Sequence, residues 1–192
     1  MWCDTPYALS PQKGVLMNEK EILDRVYSLK NNQRRQILFT GGEPLEGDKK
    51  SLVKKLVKKL SKTNSGLWRQ IRIETNGKED ISGLPNAVFS IDFKLPGSGM
   101  TQYMLEKNFK YIAKRKNPLD EVKFVVRNRE DFDYSLSVIY RFALEQHNIV
   151  YSPVHSELPA TELANWILKE GTMYSRLSLQ LHKILWGNKR GV

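Results

Sequence analysis

Thr40-Gly41-Gly42-Glu43-Pro44 follows directly on the apolar run Ile37-Leu38-Phe39. A buried strand that runs into two glycines brings bare backbone to its C-terminal end, because no Cβ stands between the chain and a ligand. In α/β folds ligands bind beyond the C-terminal ends of the strands. A carboxylate held there by a proline-stiffened turn suits an ammonium group. The same five residues also read as a plain strand-to-helix turn, since Gly-Gly with a following proline is turn chemistry. Further carboxylate, ammonium, hydroxyl and imidazole groups follow later apolar runs: Glu74-Thr75-Asn76, Asp92-Phe93-Lys94, Arg127 and Ser152-Pro153-Val154-His155.

The elements that position these groups alternate in type. Asn18 opens a helix, with Glu21 three residues on completing a capping-box pattern and Ile22, Val26 and Leu29 on the apolar face. After the Ile37–Phe39 strand comes an amphipathic helix over Lys49–Lys62, with Leu52, Val53, Leu56, Val57 and Leu60 on one side. Strands are expected over Arg69–Thr75, Ala87–Phe93, Glu121–Arg127 and Asn148–Val154. Helices are expected over Thr101–Arg115, Asp131–Gln146, Pro159–Glu170 and Tyr174–Trp186, the last with Leu177, Leu181 and Leu185 as a packing stripe. Regular strand–helix alternation predicts an α/β fold of parallel strands joined by right-handed crossovers. Parallel strands put all the reactive strand ends on one face, so one pocket follows from topology.

The bulk composition narrows the classes. The chain has 192 residues, 40% hydrophobic and 27% charged, which fits a single domain over 1–192 with room for a core. It has no apolar run of ~18 residues, so no membrane span is expected, and Met1-Trp2-Cys3-Asp4 does not read as a signal peptide. The single cysteine excludes an internal disulfide and fits a reducing cytoplasm. The net charge of +10 raises a nucleic-acid or anionic-surface reading. Seven of the lysines (49, 50, 54, 55, 58, 59 and 62) sit on the polar face of one helix. That face reads either as a binding surface or as the solvated outside of a helix packed on the sheet. No aromatic residue interleaves with the lysines, as a nucleic-acid platform would require.

Taken together, Trp2-Cys3-Asp4-Thr5, Thr40-Gly41-Gly42-Glu43-Pro44 and Glu74-Thr75-Asn76-Gly77 resemble the radical S-adenosylmethionine enzymes. With Asp92-Phe93-Lys94-Leu95-Pro96-Gly97-Ser98-Gly99-Met100, Ser152-Pro153-Val154-His155 and the stretch Arg176–Lys183, the pattern is similar to the 7-carboxy-7-deazaguanine synthases among them. The resemblance covers nearly the whole chain and implies an open, partial parallel β/α barrel. Members hold a 4Fe-4S cluster on three cysteines, leaving one iron open for S-adenosylmethionine. Cys3 matches the third cysteine. The first two, and the family's first strand, would precede Met1, so the resemblance implies an N-terminally truncated chain that is inactive alone.

The resemblance also assigns roles residue by residue. Thr5 matches a magnesium ligand, and Trp2 and Asp4 match contacts to S-adenosylmethionine. Gly42 and Glu43 match the motif receiving its amino group, and Asp92, Lys94, Ser152 and His155 match further cofactor contacts. Thr40, Glu74 and the terminal Val192 match the substrate side. Glu74 reads equally as a strand-end carboxylate paired with Arg72 or Lys94, and His155 equally as a turn residue.

The implied reaction is a lyase step of queuosine and deazapurine biosynthesis. A 5′-deoxyadenosyl radical takes hydrogen from 6-carboxy-5,6,7,8-tetrahydropterin, whose ring contracts with loss of ammonia to 7-carboxy-7-deazaguanine. The implied partners are a second copy in a homodimer and an electron donor such as flavodoxin, with no nucleic acid and no membrane. Two rival readings stand beside it: another small radical enzyme of this superfamily, such as a glycyl-radical activating enzyme, and a basic RNA- or anionic-surface-binding protein.

Overall fold

A computed structural model describes residues 14–29, 36–62, 70–115, 117–155, 157–187 and 189. Among them the strands are β1 (Gln36–Phe39), β2 (Gln70–Thr75), β3 (Val88–Phe93), β4 (Glu121–Val126), β5 (Asn148–Pro153) and β6 (Ser175–Leu177). The helices are α1 (Glu19–Ser28), α2 (Lys49–Ser61), α3 (Glu106–Arg115), α4 (Arg129–Arg141), α5 (Ala160–Glu170) and α6 (Leu181–Trp186). The strands pair in chain order from β1 to β6, every pair parallel, and the sheet is open.

The alternation of each central strand divides the sheet into two unlike faces. Ile71, Ile73 and Thr75 of β2, Phe89, Ile91 and Phe93 of β3, and Val122, Phe124 and Val126 of β4 are buried. Their neighbours Arg72, Glu74, Ser90, Asp92, Glu121 and Lys123 are half-buried or exposed. A parallel sheet covered on both sides reads apolar throughout; this one keeps a polar face. That face is cross-linked, with Glu121 holding Arg72 at 2.9 Å and Arg176 at 2.7 Å, and Gln36 bonded to Gln70 at 3.0 Å.

The apolar face is covered by helices. α2 buries Val53, Leu56, Val57 and Leu60, while its lysines point outward, Lys59 meeting Glu19 at 2.6 Å. The lysine-rich helix is thus a packed outer helix with a solvated face. α1 begins as expected, with Asn18 Oδ1 accepting from Glu21 N–H at 3.0 Å and Glu21 Oε2 accepting from Asn18 N–H at 2.7 Å. Aromatic rings join the layers: Phe93 meets Phe109, and Phe132 meets Tyr151 and Trp166. Burial pushes the Tyr151 phenol up to about 12, against the bond to the Ser135 hydroxyl.

Three expectations are corrected. Residues 174–186 are not one helix: β6 takes Ser175–Leu177 and α6 only Leu181–Trp186. Three residues are too few to carry a period, and β6 is held by the free edge of β5 through Ile149 N–H to Tyr174 O (3.2 Å) and Ser178 N–H to Tyr151 O (2.7 Å). Leu181 and Leu185 are exposed, so they form no packing stripe. The stretch after β3 makes two short 3-10 turns, Pro96–Ser98 and Thr101–Tyr103, before α3 starts at Glu106.

The helix expected to reach Gln146 stops at Arg141. Ala143 stands at φ 56, Leu144 N–H bonds Ile139 O at 2.9 Å and Ala143 N–H bonds Tyr140 O at 3.3 Å. This is the double-bonded helix end that glycine usually makes. An alanine there gives no stop signal in the sequence and bears the left-handed penalty. Ala143→Gly therefore raises stability by about 0.5–1 kcal/mol, the relief of strain exceeding the added chain entropy of the unfolded state. A higher urea midpoint at unchanged slope is the expected result.

Candidate active site

The turn after β1 presents backbone to open space. Gly41 stands at φ 105, a conformation that an L side chain resists, and a Cβ added at Gly41 or Gly42 would meet nothing within 4 Å. Glu43, by contrast, turns inward and is 7% exposed. Its Oε1 accepts from Leu45 N–H at 3.1 Å and from the Thr75 hydroxyl at 2.9 Å, and its Oε2 accepts from Asn76 N–H at 2.7 Å. A carboxylate offers about four acceptor positions, and three serve the chain itself. Glu43 thus ties the exit of β1 to the exit of β2, and the part of the motif left facing open space is the Gly41-Gly42 backbone.

Strand register places the other groups. Leu38 pairs with Arg72, Glu74 with Ser90, Asp92 with Lys123, and Val125 with Ser152. By alternation Thr40, Glu74, Asp92 and Ser152 all belong to the polar face, at its C-terminal edge. The Thr40 hydroxyl donates to Glu74 Oε2 at 2.9 Å. Glu74 therefore bonds neither of the cations considered from sequence: Arg72 is held by Glu121, and Lys94 bonds Asp92 at 2.7 Å. The Ser152 hydroxyl donates to Ser178 O at 2.9 Å, fastening β5 to the exit of β6.

His155 lies beyond β5, on the wall of a pocket of about 460 Å³ shared with Pro153, Leu158, Leu179, Gln180 and Ile184. Arg127 directly follows β4 and pairs with Glu157 at 2.8 Å. Trp2, Cys3, Asp4, Thr5 and Val192 lie outside the described residues, so their expected roles have no geometry here. Among the described residues no group of three or more His, Cys, Asp or Glu side chains is arranged to hold a metal.

In the sequence Asp131 signals no more than the start of a helix. Buried at the third position of α4, it accepts from Gly97 N–H at 2.8 Å and Arg127 N–H at 3.1 Å. Its own N–H is capped by Asn128 Oδ1 at 3.0 Å. A Cβ at Gly97 would come within 2.5 Å of Asp131 Oδ2, so that glycine lets the two loops close. Asp131 does for the exits of β3 and β4 what Glu43 does for those of β1 and β2. The Asn128-x-x-Asp131 spacing is a visible cap signal; the loop it grips, 34 residues earlier, is not.

Comparison with known proteins places this architecture. No family model matches the chain. A 7-carboxy-7-deazaguanine synthase of Leptospira interrogans is 45% identical over 194 residues, spanning 100% of this chain and 81% of that protein. The chain belongs to the 7-carboxy-7-deazaguanine synthase family. A second synthase, from Clostridium acetobutylicum, is 34% identical across 100% of this chain and 84% of its own length. The crystal structure of QueE from Escherichia coli superposes with a TM-score of 0.62 at 21% identity, over 85% of this chain. The chain spans 64% of the length of that structure. The likeness bears out the open parallel β/α architecture expected for a synthase of this family.

The brace role of Glu43 is testable. Glu43→Gln would set an NH2 donor against existing donors, at a cost of ~1–3 kcal/mol. Amide exchange at Asn76 should quicken in this variant; unchanged protection of Asn76 would contradict the brace.

Proposed function

We propose that this synthase-family chain serves the radical S-adenosylmethionine-dependent conversion of 6-carboxy-5,6,7,8-tetrahydropterin to 7-carboxy-7-deazaguanine and ammonia, and that with one of the three cluster thiolates it does not turn over by itself. The observation that supports this most is the 45% identity to the Leptospira synthase over the whole chain. The conversion balances with ammonia as the one leaving molecule and needs no net oxidant. Its place would be the queuosine pathway, and its setting the cytoplasm, a reading that rests on the single cysteine. No helix among the described residues is long and apolar enough to cross a membrane.

S-adenosylmethionine fits the residues present. The Gly41-Gly42 backbone faces open space where an ammonium group can approach, and Asp92 and Lys94 offer a carboxylate and a cation one strand beyond β2. For the cluster the sequence supplies one thiolate, Cys3, where the resemblance calls for three. With cluster and cofactor bound, the chemistry supplied is removal of a hydrogen atom from the pterin. The chain's own part is to bind, orient and exclude water.

Thr40 and Glu74 would meet donors on the pterin edge. Lys94 and Arg127 would face its carboxylate, with magnesium on Thr5 as a further counter-charge. Ser152 and His155 would border the cofactor. A homodimer and a low-potential electron donor of the flavodoxin kind complete the proposed system.

Full-length gene product, loaded anaerobically with iron and sulfide and reduced, should yield 7-carboxy-7-deazaguanine by mass spectrometry. Cys3→Ala should lose both the brown colour and the product. Glu74→Gln should keep the colour and lower kcat/KM for the pterin by about 10–100-fold. Full turnover in Cys3→Ala would refute the proposal.

A further inference from the structure

At the opposite end of the sheet a cleft of about 890 Å³ opens between the last turn of α3, the end of α4 and the chain entering β5 and β6. Lys110, Lys114, Arg141 and His147 line it, and no carboxylate does. Arg141 is bonded to Glu106 outside the cleft. Lys110 and Lys114 are exposed, with no hydrogen bond or ion pair to any described residue. Neither ring nitrogen of His147 has a hydrogen-bond partner among the described residues, although both are hidden from water. A buried polar atom left unpaired is unusual and calls for an explanation. Turning the imidazole toward the cleft would give it an acceptor on a bound anion.

Size and lining narrow the ligand. Clefts of this volume take organic molecules rather than a bare inorganic ion. The Tyr174 ring is 45% exposed at one side and can stack a planar ring. Lys110 and Lys114 stand one helical turn apart on α3 and can share a phosphate chain. The carbonyl ends of α3 and α4 oppose an anion with about half a charge each, against two full lysine charges.

We propose that this cleft is a second binding site, for a nucleoside phosphate, separate from the site at the C-terminal ends of the strands. It does not rest on the reaction proposed above.

Isothermal titration of the whole chain with ATP, at low salt, tests the proposal. One-to-one binding is expected, undisturbed by excess S-adenosylmethionine. Lys110→Glu with Lys114→Glu should weaken it by at least about tenfold, as loss of a shared phosphate contact requires. Both lysines are exposed, and an unchanged melting curve would confirm that the double variant folds. Tyr174→Ala should weaken ATP but leave tripolyphosphate unchanged. Absence of binding, binding that survives the double variant, or displacement by S-adenosylmethionine would overturn the proposal. Tripolyphosphate binding as tightly as ATP would overturn the nucleoside assignment.

Discussion

The structure depends on a division within the parallel strands β2 to β4: alternate residues go to the helices or to an open polar face. Ile73 and Glu74 are neighbours in sequence, yet one is fully buried and the other exposed. Burying the first set under α2 to α5 supplies the apolar driving force for the fold. The second set forms the polar face, where the described residues bond one another across the strands. A one-residue slip in any strand would exchange the two sets. Register therefore decides which residues the polar face presents, and the cross-strand bonds of Glu121 and of Gln36 with Gln70 help to hold it.

Two buried carboxylates carry this order upward into the loops. Glu43 joins the exits of β1 and β2, and Asp131 joins those of β3 and β4. Each takes backbone N–H donors that would otherwise be unsatisfied, and a bond to a charged acceptor contributes more than a neutral one. Loops gathered in pairs can hold a ligand in one geometry, which is what positioning chemistry demands. The polar-face groups Thr40, Glu74, Asp92 and Lys94 are in turn bonded in pairs, which fixes the orientation of each side chain.

The first five strands and the helices α1, α2 and α5 were legible because apolar periodicity and caps lie within a few residues of one another. β6 was not, since three residues carry no period and its partner is the edge of β5. The end of α4 was hidden because Ala143 occupies a position where glycine would have announced it. The gathering of the strand-end residues at one edge of the sheet was legible from topology. The inward turn of Glu43 was not: its partners Thr75 and Asn76 lie more than thirty residues on, and only the fold brings them together. The same holds for Asp131 and Gly97.

Hydrogen-exchange mapping with and without S-adenosylmethionine tests the central claim, that the ligand site is the polar face at the strands' C-terminal ends. Slowed exchange is predicted at 41–43 and 92–98, with none at 143–148 on the opposite end. Protection confined to the opposite end, or binding without protection at 41–43, would contradict the account.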